Sequence, residues 1–128
     1  MVKFLYIAIG GAIGALLRYG ISGLPHKYTD GVFPWGTLSV NLLGSLLIGI
    51  LWGAFERFDI SPNVRTFLFI GVLGAFTTFS TYSLESFNLL RDGEIKLALS
   101  NIMISNIACI ALVFAGFVVS RYMVSLFK

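Results

Sequence analysis

The chain carries little charge. Of its 128 residues, 12% are Asp, Glu, Lys or Arg, where a soluble domain carries about 25%. With 57% hydrophobic residues and a mean hydropathy of +0.90, the composition is that of an integral membrane protein. There is one cysteine, Cys109, so no internal disulfide can form. It lies in an apolar run, where a small buried hydrophobe is its ordinary role. The one histidine, His26, has no neighbours at metal-ligand spacing. A phosphate-binding glycine loop and a nucleophile–base pair are both missing, so the chain is not expected to be an enzyme. The net charge of +3 sits mostly at span ends and does not suggest a nucleic-acid partner. No acid falls at mid-depth of an apolar run. Glu85 comes nearest, and it lies past the centre of its run. A proton-coupled exporter usually needs such a carboxylate.

What is present is four long apolar runs. They predict membrane spans over about residues 4–22, 36–55, 66–90 and 97–120, each near the roughly 20 residues a helix needs to cross. A cleaved leader is not expected at the N-terminus, because three more spans follow and Arg18 interrupts the first. The first connection holds Pro25, Gly31 and Pro34 and should be irregular. The last, from Arg91 to Lys96, is short and makes spans three and four antiparallel neighbours. The whole chain, 1–128, reads as one all-α domain.

The third span is unusual in its middle, which should be its driest part. GVLGAFTTFSTYSLE, Gly71 to Glu85, carries Thr77, Thr78, Ser80, Thr81 and Ser83 among Phe76, Phe79 and Tyr82. An anchor would have leucine and valine there. Hydroxyls can refill backbone hydrogen bonds where a helix is interrupted, and they can replace an ion's water. This predicts a helix broken at mid-membrane, with a functional site at the break.

Two further polar stripes face inward by spacing. Thr37, Asn41 and Ser45 recur at i, i+4 and i+8 in span two, and Asn101, Ser105 and Cys109 do the same in span four, with Asn106 beside them. One stripe alone is equally well read as helix-to-helix glue. Two stripes and the hydroxyl cluster together suggest a polar track across the membrane. Hydroxyls alone suit either sign of ion. The NH2 groups of Asn41 and Asn101, the permanent charge of Arg18 near one mouth and the electropositive ring edges of the aromatics lean towards an anion. Phe79 and Tyr82, at i and i+3, are also an ordinary packing pair.

The basic residues hardly choose an orientation. The termini and second loop hold Lys3, Arg57, Arg65, Arg121 and Lys128, which is five. The other side holds Lys27, Arg91 and Lys96, and Arg18 is expected to snorkel there, which makes four. So small a bias predicts insertion both ways, and an antiparallel dual-topology homodimer follows. The competing reading is that one residue or the translocon fixes a single orientation. Gly10 with Gly14 and Gly49 with Gly53 form GxxxG pairs, which mark close helix packing without naming the partner.

The segments GGAIGALLRY, GTLSVNLLGS and GVLGAFTTFSTYSLE, with the polar Asn101–Ser105 face, resemble the Fluc (CrcB) family of fluoride channels over essentially the whole chain. The resemblance implies a multi-pass cell-membrane protein that passively exports fluoride from the cytoplasm and so limits its toxicity. It implies a homodimer with two antiparallel pores. It places Asn41, Thr37, Phe79, Tyr82, Ser80, Thr81, Ser105 and Arg18 along the anion pathway. It also implies a structural Na+ at the dimer centre, held by the backbone carbonyls of Gly74 and Thr77 from both subunits. Tyr82 departs from the phenylalanine usual at its position, and Tyr82→Phe is expected to be tolerated. The alternatives are a dual-topology small multidrug-type exporter, which lacks its expected glutamate in span one, and a non-conducting anchor subunit.

Overall fold

A computed structural model describes residues 1–126, and His26 by its backbone. Lys128 of the charge count and the side chain of His26 therefore lie outside the described residues. The described chain is helical, with no strand. Helix α1 spans Val2–Gly23 and is followed by a 3-10 turn at Pro25–Lys27. Helix α2 spans Trp35–Phe55. Helix α3 opens with Pro62–Arg65, continues as a π-helical stretch over Thr66–Leu73, and closes with Gly74–Phe76. Helix α4 spans Phe79–Arg91 and α5 spans Ile95–Leu126. Four stretches are long and apolar enough to cross a membrane: Val2–Gly23, Trp35–Phe55, Pro62–Arg91 and Ile95–Leu126. The protein is a multi-pass membrane protein.

The helices overrun the apolar windows at their ends, most of all in α5, which continues through Arg121 to Leu126. Polar residues stop a hydropathy window without stopping a helix. Ser61 starts α3 by accepting from the Val64 N–H, with Pro62 in the first turn, where its missing N–H costs nothing. Arg65 closes the second loop onto α2, donating to Phe55 O at 2.7 Å, with its guanidinium over the Phe55 ring.

Packing pairs α1 with α3 and α2 with α5. Spans three and four do touch through α4, but the main partner of α5 is α2. The glycine pairs explain both contacts. A Cβ on Gly10 would lie 2.7 Å from Phe67 O, and a Cβ on Gly53 would lie 2.8 Å from Phe117 O. Gly14 meets the Val72 carbonyl and Gly49 the Val113 carbonyl more closely still. Only glycine lets these backbones approach so far. The core between the helices is small, with Leu38, Val40, Leu73, Phe76 and Leu89 among its members. Most large apolar side chains instead face outward, as they do where lipid or another copy covers them. Exposed Tyr19 and Trp35 stand at one end of the bundle, and Trp52 and Tyr122 at the other, the arrangement of interfacial aromatic belts.

Candidate functional site at the helix break

The third span breaks at Thr77 and Thr78, near the middle of Pro62–Arg91. Both residues are extended, with φ −85°, ψ 158° at Thr77 and φ −149°, ψ 123° at Thr78. A break at this depth frees backbone groups that must be satisfied from within the protein. Asn41 of α2 satisfies two of them. Its Nδ2 donates to Thr78 O at 2.9 Å, and its Oδ1 accepts from the Thr78 N–H at 2.8 Å. The side-chain amide thus stands in for a strand partner to a single residue. Thr78 in turn begins α4, its Oγ1 accepting from the Thr81 N–H and donating to Thr81 Oγ1 at 3.0 Å. Ser80 Oγ lies 3.4 Å from the same oxygen.

These bonds leave a residue. In an unbroken helix the Thr78 N–H would bond to Gly74 O, and the Thr81 N–H to Thr77 O. The first goes to Asn41 and the second to the Thr78 hydroxyl, so Gly74 O and Thr77 O both lose their helical donors. Backbone carbonyls released in this way are hard oxygen ligands of the kind alkali cations take. Gly74 is exposed on the outside of the single chain, where a Cβ would meet nothing nearer than Phe69 O at 3.5 Å. Among the described residues there is no group of three or more His, Cys, Asp or Glu able to hold a metal.

A second brace runs from α5. Asn101, 1% exposed, donates to Ser86 Oγ at 3.0 Å. Ser86 donates to Tyr82 O at 2.8 Å, and Ser105 Oγ donates to Asn101 Oδ1 at 3.3 Å. Asn106 Nδ2 donates to Tyr82 Oη at 2.9 Å. The α4 half-helix is therefore fixed to α2 through its cap and to α5 through its polar face.

Three cavities surround this framework. The outer one, about 480 Å3, opens beside Lys27 at the end of α1 and reaches Thr37, Thr81 and Glu85. Thr37 Oγ1 donates to Glu85 Oε1 there at 2.7 Å. The middle one, about 230 Å3, is lined by Arg18, Thr37, Thr78 and Thr81 among others. The inner one, about 200 Å3, is lined by Asn41, Ser45, Thr78, Phe79, Tyr82, Ser105, Asn106, Cys109 and Ile110. Thr37 and Thr81 line the first two, and Thr78 lines the last two. The α2 stripe of Thr37, Asn41 and Ser45 faces this series along its length.

The expected site residues are thus distributed unequally. Asn41, Thr37, Thr81, Ser105, Phe79, Tyr82 and Arg18 all reach a cavity. Cys109 joins Ser105 in the inner one. Ser80 is exposed on the outer face of the chain. Phe79 and Tyr82 touch, with ring centroids 5.2 Å apart, yet they differ in setting: Phe79 is 74% exposed and Tyr82 is 8% exposed. One of the two amide protons of Asn41 is spent on Thr78, so its supply of free donors is half that of a bare NH2 group. Sequence reading placed Thr78 in the hydroxyl cluster and Asn106 beside the span-four stripe, but gave neither a place on the anion pathway. A threonine followed by a threonine three residues on, just past a break, is the signal of an N-cap. Asn106 lies one position off the Asn101–Ser105 row and so turns towards α4.

Comparison with known proteins gives a single direction. The profile of the family described as CrcB-like protein, Camphor Resistance (CrcB), matches residues 5–117. A protein of Parabacteroides distasonis named "Fluoride-specific ion channel FluC" is 43% identical over 128 residues, covering 100% of both chains. Proteins of the same name from Pyrococcus horikoshii and Salinibacter ruber are 52% and 47% identical over 116 residues each. The first alignment covers 90% of this chain and 93% of the relative, the second 91% and 87%.

Proposed function

This chain belongs to the CrcB-like family, and on that ground we propose that it is a fluoride-selective channel passing the ion down its gradient and out of the cytoplasm. The observation that carries the reading is the series of cavities along α2 and α4, lined in part by hydroxyl and amide groups, the inner one without a charged residue. Fluoride is small and strongly hydrated. A path that takes its water must return several donors at once, and the second amide proton of Asn41 and the hydroxyl proton of Thr81 are spaced along one route to do so. Chloride is larger and gains less from the same donors. Liposomes holding only this protein and loaded with fluoride should empty without nucleotide or a pH gradient, while chloride stays inside. Equal efflux of the two ions would remove the selectivity. Efflux that needs an imposed pH gradient would favour an exchanger.

The working unit is an antiparallel homodimer in the lipid bilayer. Support comes from the five-to-four division of basic residues and from the outward setting of Phe79 and Gly74, which a second copy would cover. Adding two or three lysines to one terminus should force a single orientation and abolish flux. Coexpressing chains biased in opposite senses should restore it. A single-orientation chain that conducts alone would rule out the antiparallel pair.

Facing copies would bring two Gly74 and two Thr77 carbonyls together about the axis. Stripped of their helical donors, these oxygens suit a structural Na+. Such an ion would neutralise converging carbonyl dipoles and tie the two breaks to each other.

A further inference from the structure

Among the donors lining the inner cavity, the phenol of Tyr82 is one that the framework does not consume. Asn106 Nδ2 donates to Ile102 O at 2.7 Å and to Tyr82 Oη at 2.9 Å. A backbone carbonyl can only accept, so Ile102 fixes which end of the amide carries the protons. An NH2 group has two protons, and both are now assigned. The phenol oxygen is therefore on the receiving side of its bond to Asn106, and its own O–H must point elsewhere. Among the described residues none accepts that proton.

The position of this O–H is well defined. Tyr82 is 8% exposed, and its ring is held against Phe79. It lines the inner cavity with Asn41, Ser105 and Cys109. Accepting a bond from Asn106 polarises the phenol and strengthens it as a donor. The group is neutral and stiff, and it lines the inner cavity. A phenylalanine here would offer a ring edge and nothing more.

We propose that Tyr82 Oη, positioned by Asn106, donates its proton directly to the anion in the inner cavity and sets part of the selectivity of this chain. The proposal rests on the fluoride reading above. A hydroxyl donor favours the ion of higher charge density, so the contact strengthens fluoride over chloride. Asn106 acts through Tyr82 and is a positioning residue.

Two measurements test it. In full-length protein labelled with [13Cζ]tyrosine, the Tyr82 signal is identified by its loss in Tyr82→Phe. Sodium fluoride should move that signal and sodium chloride should not, while the signals of Tyr6, Tyr19, Tyr28 and Tyr122 stay in place. In liposomes, and against the tolerance that the family resemblance implies, Tyr82→Phe should need about tenfold more fluoride for half-maximal flux, the loss expected of one hydrogen bond to a charged group. Asn106→Leu should give a smaller rise alone and no further rise in a chain that already carries Tyr82→Phe. A Tyr82 signal unmoved by fluoride would overturn the proposal, as would equal half-saturation in the parent and Tyr82→Phe. If the parent passes no fluoride, the channel reading falls by itself, and the titration still decides whether the hydroxyl meets the ion.

Discussion

Asn41→Asp is expected to reduce fluoride efflux below detection while the protein still elutes as the parent does. The native amide pairs with the Thr78 peptide in both directions, at 2.9 and 2.8 Å. Aspartate can still accept from the Thr78 N–H, but its second oxygen then faces Thr78 O, acceptor against acceptor. Leaving that carbonyl unpaired costs about 1–3 kcal/mol. The new charge also stands beside the anion route. At an effective dielectric near 20, a like charge about 4 Å away repels by roughly 4 kcal/mol. The charge term exceeds the structural one, so acidification that protonates the new carboxyl should restore part of the flux. Asn41→Leu removes both bonds without adding charge, and it should lower thermal stability more than Asn41→Asp at low pH. Parent-rate conduction by Asn41→Asp at neutral pH would mean that the ion passes elsewhere.

Gly44→Val should be as damaging, through geometry alone. Gly44 is buried in α2, and a Cβ there would collide with Thr77 Cγ2 and lie 3.3 Å from Phe76 Cδ1. Thr77 forms half of the break and holds itself to Leu73 O by both its N–H and its hydroxyl, at 3.1 and 3.0 Å. It cannot retreat without losing those bonds. Overpacking of this kind costs about 1–3 kcal/mol, and here the strain falls on the carbonyls of Gly74 and Thr77. Gly44→Ala should show the same defect in milder form. A graded loss of flux and melting temperature from Gly to Ala to Val is the expected series. A valine variant with the parent's rate and melting temperature would show that the break tolerates displacement.

Much of this site could be read in the sequence because it breaks a rule of composition. Five hydroxyl residues in a segment that ought to be dry marked both the broken helix and its place. The i, i+4, i+8 spacing of Thr37, Asn41 and Ser45 marked the face of α2 that meets it, and the glycine pairs marked where backbones touch. Other features left no such trace. After its first threonine TFLFIGVL carries no polar side chain, so nothing in it distinguishes the π-helical stretch from an α-helix. The stretch packs closely on α1: a Cβ on Gly71 would lie 2.9 Å from the Gly10 Cα, a contact between residues 61 apart in the chain. The pairing of α2 with α5 was hidden for a similar reason, since short loops report sequence neighbours and not the larger contacts across the bundle. The direction of the Asn106–Tyr82 bond depends on where one carbonyl, that of Ile102, happens to fall.

The extended pair at Thr77 and Thr78 also gives the protein a helix beginning far from either end of the span. The first N–H groups of a helix have no carbonyl one turn back. In α4 the Thr81 N–H is taken by its cap, while those of Phe79 and Ser80 are not part of that bond. The aligned peptides of Phe79–Arg91 sum to a partial positive charge, equivalent to roughly half an elementary charge, at this end. The start of α4 thus adds a positive contribution to the potential on the Phe79 side of the break, opposite the carbonyl end of the preceding half-helix. Unlike a lysine or arginine in the same place, it cannot swing out to the surface and cannot be deprotonated.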